Sequence, residues 1–449
     1  MNINSARGIS GSFYVVLMIP AAYMAFFYMN YAQIGWFYQD DFTFLRRYNH
    51  AIYWWDILSF ENFGRFFSRN LYWYLGNEFF SPNALFFYFF NFSCVVATSF
   101  LAFFLFRREH DAFIGTAAGM VYFTMPATVM SYIWISNSQH LLGHFFVLLF
   151  VCLYQRLSRA QDSVRNVIAL CTVFLLGLSS NIFMSMALSL VAWDLITDPV
   201  QRKKRISYAV LAISGLLSVF FFVKLSKAAA GSYSTKISWD VLLENMRFYW
   251  QSPWNGLLWL IAVAAGVLVS IRRKQYFNAW LFLASVAFFM PFAFFVQQRY
   301  LQYGSLSYLF FFLGIFALLA DWLKHRAPRV LAAAVCLMVF IGFLASLGKP
   351  VRYFLEHPWG AEQRQQVSFL KQFNRAHPQA MHYCFWPAGQ KKAADDGAQA
   401  PAPLEWWLVG FGDAFAYFVD ASKTYALERP GVQCDARFEF EDGVLRHIP

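Results

Sequence analysis

Two adjacent carboxylates, Asp40 and Asp41, stand in the run Tyr38-Gln39-Asp40-Asp41-Phe42 just beyond a long apolar segment. A carboxylate beside a low-dielectric region is costly to keep unless it has work or a partner. Three readings fit the pair. It can act as a general base that deprotonates an acceptor hydroxyl, as an oxygen ligand for a divalent cation, or as a solvated acidic cap. Mutual repulsion can also split the two carboxyl pKa values. A short way on come Gly64-Arg65-Phe66-Phe67 and Arg69. A guanidinium fork matches phosphate oxygens, although interfacial arginines also anchor lipid headgroups. His140 and His144 share a helix face at i, i+4. We read His140, with Gln139 beside it, as a polar residue at a cavity rim and His144 as an interhelical hydrogen-bond donor rather than a metal pair. Lys224 and Lys227 end an apolar span, with Arg247 beyond; Lys227 is a candidate for the same cavity, and snorkelling explains both lysines equally well.

The elements that must hold these residues are membrane helices. Of 449 residues, 59% are hydrophobic and only 14% charged, against about 25% charged in a soluble domain. Apolar stretches of about 20 residues fit a hydrocarbon core of about 30 Å. We read them near 12–34, 84–106, 112–131, 140–156, 165–180, 182–197, 206–225, 256–271, 277–296, 302–322 and 329–347. The fold class is therefore an α-helical polytopic membrane protein of about eleven transmembrane helices with a small C-terminal α/β domain. Residues 1–347 form the membrane domain, with a long first outer loop at 35–82; residues 348–449 form a soluble tail.

One set of links carries the positive charge: Arg7, Arg107-Arg108, Arg156 with Arg159 and Arg165, Arg202 to Arg205, Arg272-Arg273-Lys274, and Lys324 with Arg326 and Arg329. The positive-inside rule puts these in the cytoplasm. Loop 35–82, loop 226–255 and the tail then face outward, with the N-terminus cytoplasmic and the C-terminus periplasmic in a bacterial inner membrane. The net charge of +11 orients helices rather than binding nucleic acid, which we exclude. Cys94, Cys152, Cys171 and Cys336 lie in apolar spans; Cys384 and Cys434 are the two in the tail, and an oxidising compartment favours pairing them. The aromatic-rich first loop is expected to lie on the membrane as short helices.

Taken in order, these segments resemble GT-C superfamily glycosyltransferases, multi-span enzymes that use polyprenyl-phosphate sugars. Asp40-Asp41 resembles the acidic motif of their first outer loop, and Gly64-Arg65-Phe66 with Leu71 their glycine-arginine-phenylalanine element. The run Tyr132 to Leu142 resembles their tryptophan-containing turn, and Arg299-Tyr300-Leu301 their arginine-tyrosine pair. A serine-lysine-glutamate turn common in relatives is replaced here by the uncharged Ser179-Ser180-Asn181.

The resemblance spans roughly residues 10–350 and implies an inverting-type glycosyltransferase. It would move a sugar from a polyprenyl-phosphate donor to a periplasmic acceptor: a glycan, a lipid, or a protein such as a pilin. It implies Asp41 or Asp40 as base, with Asp41 preferred, and Arg299 as a phosphate clamp assisted by Arg65, Arg69 and Tyr300. It fixes no cofactor, and a divalent cation on Asp40 and Asp41 is the one candidate. The competing classes are a transporter or flippase and an O-antigen polymerase or ligase. A transporter would call for internal repeats and charges buried mid-membrane, and a polymerase or ligase for a large outer loop late in the chain; neither pattern is present.

Overall fold

The structure, a computed structural model, describes residues 37, 40–48, 65–80, 83–109, 112–125, 127–128, 131, 134–160, 162–198, 200, 203–228, 236–296, 300–326, 359–386, 413–427, 432–441 and 444–448, with a few positions between 21 and 29. The expected span at 329–347 lies outside the described residues, and that at 12–34 almost wholly so.

The chain is mostly helical. Ahead of the first long helix come α1 (Asp40–Arg47), a π-helical segment (Phe66–Leu71) and α2 (Tyr72–Phe80). Then follow α3 (Leu85–Glu109), α4 (Ala112–Thr124), α5 (Ser138–Leu157), α6 (Val164–Leu178), α7 (Leu188–Thr197) and α8 (Arg205–Ala228). The membrane part continues with α9 (Trp239–Trp250), α10 (Pro253–Arg272), α11 (Tyr276–Phe289) and α12 (Ser305–Arg326). Among the described residues, four stretches are long and apolar enough to cross a membrane: Leu85–Arg107, Ile135–Leu157, Pro253–Arg272 and Gln302–Asp321. Several shorter apolar helices accompany them.

Local chemistry explains the boundaries. Ser163, Ser238 and Ser252 cap their helices by accepting from the backbone N–H of Asn166, Val241 and Asn255, and Pro253 occupies the first turn of α10, where its missing N–H costs nothing. The break between α6 and α7 falls at Ser179-Ser180-Asn181. There the Asn181 side chain accepts from Phe183 N–H and opens a 3-10 segment, Ile182–Ala187.

Small residues set the helix spacing. A Cβ on Gly115 would stand 2.7 Å from the Phe103 carbonyl oxygen, and one on Gly119 would stand 2.9 Å from that of Ser99. This i, i+4 glycine pair lets α4 lie directly on α3, as small-residue repeats do in lipid. Three indoles donate across helices. Trp280 donates to Ser189 Oγ at 3.0 Å, Trp193 to the Tyr276 carbonyl at 2.7 Å and Trp259 to Ser285 Oγ at 3.2 Å.

The tail is a small α/β unit: α13 (Trp359–Ala376), β1 (His382–Trp386), α14 (Asp413–Phe418), β2 (Thr424–Leu427), β3 (Ala436–Glu441) and β4 (Val444–Ile448). The sheet order is β2-β1-β3-β4, with β1 parallel to both neighbours and β4 antiparallel to β3. Phe373 of α13 packs on Phe438 of β3. The run Phe415–Val419, open between strand and helix from sequence, begins as α14; the run 406–411 lies outside the described residues. Cys384 of β1 and Cys434, just ahead of β3, form a disulfide across 50 residues. Closing a loop of that length removes about 4 kcal/mol of unfolded-state entropy in the chain-entropy model.

The tail also touches the segments ahead of α3. Helix α14 packs on α1, Phe418 meets the Phe37 ring at 6.1 Å, and the Tyr417 hydroxyl reaches Asn77 Oδ1 at 3.5 Å. Asn77 in turn donates to the Leu45 and Tyr48 carbonyls at 3.0 and 2.8 Å, satisfying the C-terminal end of α1.

Candidate functional site

Helix α1 begins at the acidic pair. Asp41 is 0% exposed. Its Oδ1 accepts from the backbone N–H of Ser136 at 2.8 Å, and from the Ser136 hydroxyl. Ser136 belongs to the 3-10 turn Ile135–Asn137 that opens α5, so the acidic motif and the tryptophan-containing turn meet across 95 residues of chain. A carboxylate held by an N–H and an O–H gains charge-assisted bonds, roughly twice as strong as neutral ones. In this arrangement Asp41, sealed from solvent, is a strut that ties the start of α1 to the turn that opens α5. The side chain of Asp40, one residue earlier, lies outside the described residues.

The polar network continues around this strut. Asn91 donates to the Ile135 carbonyl at 3.4 Å and accepts from the Tyr72 hydroxyl at 3.2 Å. Burial first, and then the nearby charge of Asp41, hold the Tyr72 hydroxyl well above its ordinary pKa, so it stays a neutral donor.

The arginines cluster on the neighbouring π-helical segment. Arg69 is half-buried, with its Nε 3.1 Å from Asn70 Oδ1 and its guanidinium 5.9 Å from the Phe44 ring centroid. The Tyr48 hydroxyl donates to the same Asn70 oxygen at 2.6 Å. Burial lowers the Arg69 pKa to about 10; the charges of Arg65 and Arg47 push the same way, and Tyr48 opposes them. Arg65 and Arg47 both lie within charge range of Arg69, a concentration of positive charge that complements a phosphate. Arg47 was not among the residues expected from sequence. Its signal was present in Arg46-Arg47, which fill the last turn of a helix that starts at Asp40.

This segment is pinned to the turn between α6 and α7. Phe67 N–H donates to the Ser179 carbonyl at 3.3 Å, the Ser68 hydroxyl to the Ser180 carbonyl at 2.6 Å, and the Ser138 hydroxyl to the Ser68 carbonyl at 2.7 Å. The uncharged Ser179-Ser180-Asn181 turn therefore supplies backbone acceptors rather than charge.

The late outer segment joins the same assembly. Tyr300 meets Trp134 at 5.5 Å between ring centroids and Tyr303 at 5.5 Å, while Gln302 Nε2 lies 3.4 Å from Asn137 Oδ1. Arg299 lies outside the described residues, and so does the side chain of Lys227, whose backbone belongs to α8. His140 is buried against Tyr303, ring centroids 5.0 Å apart, and its Nδ1 is 3.5 Å from Asn181 Nδ2. Gln139 beside it is half-buried. Gly143, one turn on, admits this contact, since a Cβ there would stand 2.8 Å from Asn181 Cβ. His144 pairs instead with the Tyr122 hydroxyl at 2.8 Å. The two histidines thus serve different neighbours.

Among the described residues no group of three His, Cys, Asp or Glu side chains converges, and Asp41 Oδ1 accepts two donors from Ser136. Two cavities lie at the opposite, arginine-rich end.

What the sequence missed is Ser136. It stands in a run quoted only for its tryptophan, and nothing in local spacing pairs it with an aspartate 95 residues away. Comparison of the chain with protein-family models and with curated proteins returns no match.

Proposed function

We propose that this protein is a membrane glycosyltransferase of GT-C type, transferring a sugar from a polyprenyl-phosphate donor to an acceptor hydroxyl at the outer membrane face. The observation that carries the reading is the convergence of five segments of the chain on one end of the helices. The acidic loop is bonded to the Trp134–Ser138 turn, the Arg65–Arg69 segment to the Ser179–Asn181 turn, and Tyr300 is packed on Trp134.

The roles divide as follows. Asp41 is a positioning residue, and the adjacent Asp40 is the general base. The acceptor hydroxyl gives its proton to Asp40 as its oxygen bonds to the anomeric carbon. The bond from that carbon to the phosphate oxygen breaks in the same displacement, and polyprenyl phosphate leaves with the electron pair. Configuration inverts because attack comes from the face opposite the leaving group. Arg69, Arg65 and Arg47 meet the charge that develops on the phosphate, an interaction that strengthens toward the transition state. The acceptor class (glycan, lipid or protein such as a pilin) is set by surfaces outside this core.

The test uses membranes containing the protein and a panel of radiolabelled polyprenyl-phosphate sugars. Wild type should pass label to an acceptor from one donor class. Arg69→Gln should raise the donor KM about tenfold or more, the scale of one lost charge-assisted phosphate contact, at an unchanged protein level. No transfer from any donor, with acceptor-containing membranes supplied, would contradict the reading.

A further inference from the structure

At the arginine-rich end of the bundle, helices α3 and α5 leave a cleft of about 520 Å³ between them. Helix α5 contributes Leu149, Cys152, Leu153 and Arg156, the i, i+3, i+4, i+7 pattern of a single face. Helix α3 contributes Leu101 and Phe104, with Arg107 at its end. The helices touch at the cleft floor, where Cys152 Sγ lies 3.6 Å from the Leu101 carbonyl oxygen. From Leu149 to Arg156 the apolar wall runs about 10 Å along the axis. It ends in two guanidiniums, one from each helix. Among the described residues lining this cleft there is no carboxylate. The adjoining polar cavity is different in kind, with Asp194, Asp198 and Asp321 set among Arg159 and Lys274.

An apolar channel closed by two arginines at the membrane surface has the polarity profile of a phospholipid: hydrocarbon along the wall, headgroup phosphate at the mouth. Basic pockets between membrane helices on the cytoplasmic side bind anionic headgroups in this way. We propose that the cleft between α3 and α5 is a binding site for one anionic phospholipid of the leaflet facing the arginine-rich links. Its phosphate is held by Arg107 and Arg156, and its acyl chain lies along Leu149, Leu153 and Phe104. The net positive mouth selects a negatively charged headgroup over a zwitterionic one. The inference rests on the membrane reading of the helices and not on sugar transfer.

The experiment is native mass spectrometry of the detergent-purified full chain, titrated with phosphatidylglycerol or with phosphatidylcholine bearing the same acyl chains. Wild type should retain phosphatidylglycerol preferentially. The double variant Arg107→Gln, Arg156→Gln should lose that preference by roughly tenfold to thirtyfold, since each basic side chain at a lipid surface contributes about a factor of five. The variant Arg165→Gln, Arg272→Gln removes the same charge from exposed positions outside the cleft, on the positively charged links, and should keep it. Leu149→Trp, with both arginines intact, should lower retention of phosphatidylglycerol by filling the apolar wall. Equal retention of the two lipids by wild type would overturn the proposal, as would equal losses in the two double variants. Neither result would bear on transfer activity, which the donor assay reads separately.

Discussion

At the scale of single residues, the account turns on what Asp41 and Ser136 do for each other. The carboxylate is fully buried and accepts two bonds from one serine, so neutralising it removes the charge assistance while keeping the shape. Asp41→Asn should lower stability by about 1.5–3 kcal/mol, the range for hydrogen bonds to charged groups, read as a shift in the unfolding midpoint in detergent. Ser136→Ala removes the hydroxyl but leaves the backbone donor, and should cost less, about 1 kcal/mol. A stability unchanged in both would mean the strut carries no weight. The acidic pair was legible in the sequence as a place where chemistry or a partner was required. The partner was not, because a contact between two loops 95 residues apart leaves no periodic trace in either.

At the scale of elements, the interruption at Ser179-Ser180-Asn181 was readable, whereas α9 (Trp239–Trp250) falls inside the stretch read as loop 226–255 and corrects it. Serine caps sit one residue ahead of α6, α9 and α10, and the split between α6 and α7 falls at the Ser179-Ser180-Asn181 turn. Closeness of approach was not readable. Gly143 is a helix-interior glycine, which in isolation only weakens a helix, yet here it admits Asn181 beside His140. Gly143→Val should therefore destabilise by about 1–3 kcal/mol through overpacking and should loosen the turn that carries the Arg65–Arg69 segment. Thermal unfolding of the purified variant checks the first effect. A wild-type midpoint would show that the turn moves aside freely. The π-helical winding of Phe66–Leu71 also escaped sequence reasoning, since hydropathy does not distinguish it from an ordinary helical turn.

At the scale of the whole molecule, the tail is a folded α/β unit joined by the Cys384–Cys434 bridge and seated on the first loop through α14. Composition pointed to a small α/β unit in the tail, and a sheet with flanking helices is found there. It could not foretell the strand order β2-β1-β3-β4, which depends on pairings between distant segments. The tail carries its own pH signature. Exposed Asp435 accepts from the N–H groups of Met381 and His382 at 2.7 and 2.9 Å, and these bonds hold its carboxyl below the ordinary 3.8. A depressed folded-state value means the contribution is complete above about pH 3.8 and is lost as the pH falls below it. Unfolding midpoints followed downward through that range should drop in wild type and less steeply in Asp435→Asn; parallel slopes would remove Asp435 from the explanation.

The central claim is that an acidic pair at the outer ends of the helices divides its labour, Asp41 holding the frame and Asp40 taking the acceptor proton. The most direct test measures sugar transfer from the productive polyprenyl-phosphate donor and the unfolding midpoint together, in wild type, Asp40→Asn and Asp41→Asn. The account predicts that Asp40→Asn unfolds like wild type but loses transfer by about two orders of magnitude or more, the scale of a missing general base, whereas Asp41→Asn loses stability and transfer together. Full transfer in Asp40→Asn, or a loss of transfer in Asp41→Asn with no loss of stability, would contradict it.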